Sequence, residues 1–290
     1  MNKNNVRIKQ IAIVGAGTMG SGIALVGASS GYGVVMKDIK KRFVDDGIGK
    51  IEKFLARSVK KEKITLGEKE KILSKIKGTV KFKDLENCEL VIEAIPEDFE
   101  LKKKLFQELD NICSPKAIFA SNTSAISITK LAAAITRPDK FIGMHFMNPV
   151  PVMKLVEVIR GLRTSDKTVK IIKEVAKKMG KVPIEVKDSP GFVSNRILIP
   201  MINEAICCLR EGVATKEAID HIMKLGMNHP MGPLELADFI GLDTCLYIME
   251  ELYKGFSNFK YKPCLLLKRM VQKGCLGRKT GKGFYNYSKK

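Results

Sequence analysis

Gln10-Ile11-Ala12-Ile13-Val14-Gly15-Ala16-Gly17-Thr18-Met19-Gly20 is the stretch on which the fold turns. A short apolar run rich in β-branched residues stops at a glycine and becomes G-x-G-x-x-G. Ser21 to Ser30 then reads as a small, apolar helix with a glycine stop at Gly31. Strand, turn and helix in that order lift the glycine pattern above chance. Gly15 permits the tight turn, Gly17 lets the backbone approach a pyrophosphate, and Gly20 lets the helix pack on the strand. The helix start offers N–H groups and partial positive charge to phosphates. A second run, Val34-Val35-Met36-Lys37-Asp38, ends in an acid roughly 20 residues on, where a ribose ligand is expected. The stretch predicts a dinucleotide site.

Working outward, strand-like runs recur at 9–14, 34–38, 89–95, 117–121, 141–146, 154–159 and around 182–186. Helix-like stretches at 42–61, 66–76, 99–112 and 167–179 separate many of them. Such alternation predicts an α/β, doubly wound, mostly parallel sheet with helices on both faces. After Asp188-Ser189-Pro190-Gly191-Phe192 only helical periodicity remains, over 193–211, 215–225, 234–240, 243–254 and 263–273. The expected division is therefore an α/β domain over 1–188 and an all-helical C-terminal domain over 189–290.

The chain has 290 residues and a formal charge of +20, with lysines crowded between Lys40 and Lys83. Three readings of that charge compete: a solvated helical surface, an electrostatic funnel for a polyanionic small molecule, and a nucleic-acid footprint. No zinc-finger, helix-turn-helix or RNA-binding signature accompanies it, so no nucleic-acid partner is expected. The polar, basic start is not followed by an apolar segment, and no apolar run approaches membrane length. The chain is expected to be cytoplasmic, with no membrane partner. Its seven cysteines lack any C-x-x-C pattern and read as reduced, buried core thiols.

Three histidines occur: His145, His221 and His229. None pairs with metal-ligand spacing, so no metal site is expected. His145 ends a strand-like run, and open parallel sheets place ligands at the carboxyl ends of their strands. Alone, it could equally be a hydrogen-bonded core histidine. Glu157, inside the apolar Leu155-Val156-Glu157-Val158-Ile159, demands a cationic partner if buried. The strand ending in His145 could supply one, and a carboxylate beside an imidazole orients it as a general base. The competing reading is an edge strand with Glu157 facing water. Ser121-Asn122-Thr123-Ser124 follows another apolar strand, lining the same sheet edge or capping the next helix. Asn195, just past the Pro-Gly junction, reads as a substrate ligand or a polar helix-start residue.

These blocks together resemble the 3-hydroxyacyl-CoA dehydrogenases, most closely their short bacterial type, over nearly the whole chain. The resemblance rests on Gly15 to Gly20, Glu93-Ala94-Ile95-Pro96-Glu97, Ser121 to Ser124, and His145-Phe146-Met147-Asn148-Pro149 through to Glu157. It continues in Pro190 to Arg196, His229-Pro230-Met231-Gly232-Pro233, and Gly277-Arg278-Lys279-Thr280-Gly281-Lys282-Gly283-Phe284-Tyr285. It implies a Rossmann-type first domain and a helical second domain that serves substrate binding and dimerisation. It further implies that His145 takes the hydroxyl proton, that Glu157 orients it, and that Ser124 and Asn195 hold the substrate oxygen. Gly15, Gly17, Thr18, Met19, Gly20 and Asp38 would bind NAD, with Glu97, Lys102, Ser124, Asn148 and Lys279 completing the site. Lys61 would meet the nucleotide of an acyl-CoA substrate, and the protein would form a homodimer. Lys37, Lys40 and Lys41 beside Asp38 keep NADP as the alternative cofactor. Three positions depart from the family pattern: Ala125, Met147 and Phe54. The first two predict altered packing or affinity, the third an altered CoA contact. The competing functions are a CoA-free β-hydroxyacid or sugar-acid dehydrogenase and an inactive nucleotide-binding protein.

Overall fold

A computed structural model describes residues 8–287. The basic start, 1–7, and the end, 288–290, both within the expected domain limits, lie outside the described residues. The chain divides after Asp188 into two compact units.

The first unit is one eight-stranded sheet, in the order β3-β2-β1-β4-β5-β6-β7-β8. The strands are β1 (Gln10–Val14), β2 (Gly33–Lys37), β3 (Ile76–Thr79), β4 (Leu90–Glu93), β5 (Ile118–Ser121), β6 (Phe141–Phe146), β7 (Leu155–Arg160) and β8 (Val182–Lys187). All neighbours pair in parallel except β6 with β7. The order reverses at β1, with β2 on one side and β4 on the other, which makes the end of β1 the switch point where such sheets bind ligands. The helices are α1 (Thr18–Ser29), α2 (Lys41–Lys60), α3 (Leu66–Leu73), α4 (Phe99–Ile112), α5 (Ile128–Ala132) and α6 (Asp166–Lys178).

Strand alternation sorts the core into two layers. Ile11, Ile13, Val34, Met36, Leu90 and Ile92 share a cluster with residues of α1, α2 and α6. Phe119 and Phe141 point to the other face, where Phe106 of α4 meets them at ring distances of 6.0 and 4.6 Å. Glu93, Ser121, His145 and Glu157 share that second face by strand parity.

The first unit differs from the sequence expectation at two places. The helix expected over 66–76 ends at Leu73, and Ile76–Thr79 forms the edge strand β3 instead. The short α5 was not among the helical stretches read from the sequence. The antiparallel β6–β7 pair is the one exception in the mostly parallel sheet expected. Thr65 starts α3 with a reciprocal capping box to Glu68.

The second unit is helical: α7 (Ser194–Glu211), α8 (Lys216–Gly226), α9 (Pro233–Ile240), α10 (Leu242–Phe256) and α11 (Leu265–Gln272). They surround a core that includes Ile202, Ile206, Leu234, Leu242, Met249 and Leu267. Asp238, fully buried, accepts the backbone N–H groups of Phe284 and Tyr285 at 2.9 Å each, which pins the C-terminal segment onto α9. Among the cysteines, Cys207 and Cys208 are half-buried, less enclosed than expected, and Cys275 is likewise half-buried. No helix among the described residues is long and apolar enough to cross a membrane.

Candidate active site

The glycine turn is built as its sequence requires. Gly15 has φ +105°, and a Cβ there would lie 2.4 Å from the Ala94 carbonyl oxygen, so β1 and the end of β4 meet with no room for a side chain. At Gly20 a Cβ would stand 1.7 Å from the Gly15 oxygen, which is how closely α1 packs on the turn. Gly17 is different: a Cβ there would meet nothing within 4 Å. That open ground faces the start of α1, where Gly17 supplies no side-chain cap and the first-turn N–H groups lack an intrahelical acceptor. Beside it, Asp38 Oδ2 accepts the Ala16 N–H at 2.7 Å and Oδ1 the Ile39 N–H at 2.6 Å. An uncapped helix start, a cradle a methyl would fill and an adjacent carboxylate together fit a dinucleotide. Lys37, one residue earlier, is buried over the Phe82 ring at 3.5 Å, and burial holds its ammonium below the usual lysine range. Met19 packs partly buried against the core.

His145 and Glu157 stand directly opposite each other in the antiparallel β6–β7 ladder. Their side chains lie on one face, with Nδ1 2.8 Å from Glu157 Oε2. Glu157 is 2 % exposed on a strand covered on both sides, so the water-facing alternative is excluded. An ionised carboxylate only accepts, which puts a proton on Nδ1 and makes Nε2 the basic nitrogen of the neutral ring. The β6 backbone here is tied to β5 by Asn122, whose Oδ1 accepts the Phe146 N–H at 2.9 Å.

Ser124 lies in the turn after β5, held by Glu97. Glu97 Oε1 accepts the Ser124 N–H at 2.9 Å, the Ala125 N–H at 3.1 Å, the Ser124 hydroxyl at 3.3 Å and the Thr123 hydroxyl. Lys102 reaches Glu97 at 3.3 Å, but it is 1 % exposed and also pairs with Glu93, so its ammonium is engaged by protein carboxylates inside the fold. A buried ammonium requires such partners. The alternative reading of Ser121–Ser124 as a helix cap is not met, since the side chain that caps the next helix, α5, is Ser127.

Asn148 follows β6 and lines a cleft of about 220 Å³ together with Thr18, Ser21, Lys50 and Phe54. It therefore shares a wall with the start of α1. Lys61 stands exposed at the end of α2. A cavity of about 790 Å³ is lined by Phe54 and Ser58 of α2, Glu68, Lys71 and Lys75, and Lys154 and Lys181, and Lys61 is not part of its lining. In the helical unit, Asn195 is buried in the first turn of α7, and Lys279 bonds Asp243 at 2.8 Å and Thr244 at 3.1 Å. Among the described residues, no group of three His, Cys, Asp or Glu side chains could hold a metal ion.

Sequence reasoning passed over Glu93 as an individual group and placed the Asn122 amide on the sheet edge without giving it a partner. Glu93 carried the same signal as Glu157, a lone acid closing the apolar run Leu90-Val91-Ile92. Asn122 had no comparable mark, since its role is a single hydrogen bond to a neighbouring strand.

A parallel-sheet dinucleotide fold with a histidine–carboxylate pair on its sheet defines a nicotinamide-dependent oxidoreductase. Residues 10–189 match the model of the 3-hydroxyacyl-CoA dehydrogenase NAD-binding domain, and 191–287 that of the family's C-terminal domain; the chain belongs to this family. It is 58 % identical to a probable 3-hydroxybutyryl-CoA dehydrogenase of Deinococcus radiodurans, over 96 % of this chain and all of that one. It is 54 % identical to a 3-hydroxybutyryl-CoA dehydrogenase of Bradyrhizobium diazoefficiens, covering 97 % and 96 % of the two chains. The crystal structure of (S)-3-hydroxybutyryl-CoA dehydrogenase from Ralstonia eutropha superposes with a TM-score of 0.95 at 55 % identity, covering 98 % of this chain and all of that one.

Proposed function

We propose that this NAD-dependent dehydrogenase interconverts (S)-3-hydroxybutyryl-CoA and acetoacetyl-CoA, or close short-chain homologues. The reading is carried by the His145–Glu157 pair, buried at the carboxyl edge of an NAD-binding sheet. NAD, when bound, supplies the hydride acceptor for C3, and its reduced form the donor. His145 removes the C3 hydroxyl proton at Nε2 in oxidation and returns it in reduction. Glu157 holds the ring by Nδ1 and stabilises the imidazolium charge. Ser124, set by Glu97, is assigned to the substrate oxygen, where a donor stabilises developing negative charge.

The remaining roles follow the family resemblance. The 1–188 region serves as the dinucleotide domain and 189–290 as the substrate and dimerisation domain. Gly15, Gly17, Thr18, Met19, Gly20, Asp38, Glu97, Asn148 and Lys279 are assigned to the cofactor, with Lys102, whose ammonium is held inside the fold by Glu93 and Glu97, acting through Glu97. Asn195 is assigned to the substrate oxygen and Lys61 to the CoA nucleotide. The basic cavity beside α2 supports an anionic substrate tail. Asp38 favours NAD over NADP, since a carboxylate repels a 2′-phosphate. The working form is a cytoplasmic homodimer built through the helical domain.

The test is the oxidation of NADH by acetoacetyl-CoA, followed by absorbance. His145→Gln should reduce kcat by about 10²–10⁴-fold, the usual share of a general acid–base group. Near-wild-type turnover of that variant would overturn the role. Faster turnover of free acetoacetate than of its CoA ester would overturn the acyl-CoA assignment.

A further inference from the structure

The acid at the end of β4 takes no part in the proton transfer, yet its contacts run to the turn that carries Ser124. Glu93 is fully buried. Its Oε1 accepts the Ile95 N–H at 2.7 Å and the Lys102 ammonium, and its Oε2 accepts the Ser121 hydroxyl at 2.5 Å. Two paths leave this centre. One passes from Lys102 to Glu97 at 3.3 Å, and from Glu97 to the N–H groups of Ser124 and Ala125. The other passes through Ser121, whose Oγ accepts the Thr123 N–H at 3.2 Å. Both end in the segment 123–125.

We propose that Glu93 is a positioning residue for Ser124: its carboxylate seats Lys102 beneath Glu97, and Glu97 in turn sets the 123–125 turn. The proposal rests on the reading in which Ser124 faces the substrate oxygen. Lys102 is shared between two carboxylates, and charge-assisted bonds are roughly twice as strong as neutral ones. Neutralising Glu93 leaves Glu97 as the only carboxylate facing that ammonium. Glu97 is then drawn toward Lys102 and away from the donors of the turn. Ser121 loses its anionic acceptor in the same step, so the second path slackens too. A purely structural ion pair would instead hold α4 to β4 without regard to Ser124.

A double-mutant cycle separates the two. Wild type, Glu93→Gln, Ser124→Ala and the double variant are compared for kcat/KM with acetoacetyl-CoA, KM for NADH, and thermal midpoint. Glu93→Gln should lower kcat/KM by about 30-fold, within the range expected when a reacting group is misplaced by an ångström. Its KM for NADH should rise as well, because Glu97 is also assigned to the cofactor; the cycle with Ser124, not that KM, decides between the two. In the Ser124→Ala background the same change should cost less than about threefold, because the residue it positions has lost its hydroxyl. Losses that multiply would overturn the proposal, whatever the midpoints do. Should Glu93→Gln fail to fold, Ser121→Ala enters the same cycle and must show the same non-additivity. Wild-type protein without acetoacetyl-CoA turnover would remove the functional reading and this one with it. Wild-type turnover with multiplicative losses removes this one alone.

Discussion

At the scale of single residues, the three glycines of the turn do different work. Gly20 is enclosed by backbone: the Gly15 oxygen would lie 1.7 Å from an added Cβ and cannot swing aside. Gly20→Ala should therefore destabilise the protein by about 1–3 kcal/mol or more, as overpacking does. Gly17 borders open space, so Gly17→Ala should cost at most about 1 kcal/mol, the scale of a helix N-cap change. It should nevertheless weaken NADH binding by about tenfold if, as proposed, the open ground that the methyl enters takes the pyrophosphate. Thermal melts beside fluorescence titration of NADH check the pair, and equal affinity in Gly17→Ala and wild type would refute that assignment. The same scale shows what a sequence reader can see. Glu157 was legible because a carboxylate inside an apolar strand demands a partner, and the structure provides His145. Glu93 obeyed the same rule, but its partners come from nine and 28 residues away on other elements. No local pattern announces them.

At the scale of elements, legibility follows apolar content and length. β1, α1 and β2 were readable because each buries a long or regular apolar series. β3 was not, since Ile76-Lys77-Gly78-Thr79 is an edge strand with one apolar side chain. α5 has five residues, too few to show a helical period. One junction between elements makes a pH prediction. Asp110, near the end of α4, accepts the Thr136 N–H at 2.6 Å and Arg137 Nε at 2.5 Å, tying α4 to the segment before β6. Burial works to raise this carboxyl, but the Thr136 N–H and the Arg137 guanidinium outweigh it and hold it below the ordinary aspartate range. A depressed folded-state pKa stabilises above the unfolded value and is lost as pH falls through the folded one. Asp110→Ala should thus cost about 3 kcal/mol at pH 7, as removing one member of a buried pair does. The gap to wild type should narrow below about pH 4, near the ordinary aspartate pKa. A gap that stays constant in denaturant titrations down to pH 3 would show that packing, not charge, sets the cost.

For the whole molecule, the +20 charge acquires a purpose if the substrate tail is a polyanion. Lys61→Glu should raise KM for acetoacetyl-CoA by about fivefold, the order of one lost and one opposed surface contact. KM for NADH should change by less than about twofold. Added salt should shrink the difference, because exposed charges are screened. Equal losses for both ligands would point to repulsion spread over the surface. The single reversal of chain direction, between β6 and β7, has a last consequence. It makes the imidazole–carboxylate couple a product of ladder register, with His145 and Glu157 as opposed rungs. The hairpin tip joining the two strands could be spliced or lengthened near Val152 and Met153, both exposed, and the couple would survive. One residue inserted inside β7 ahead of Glu157 would turn the carboxylate to the opposite side of the sheet and leave the imidazole without its anchor.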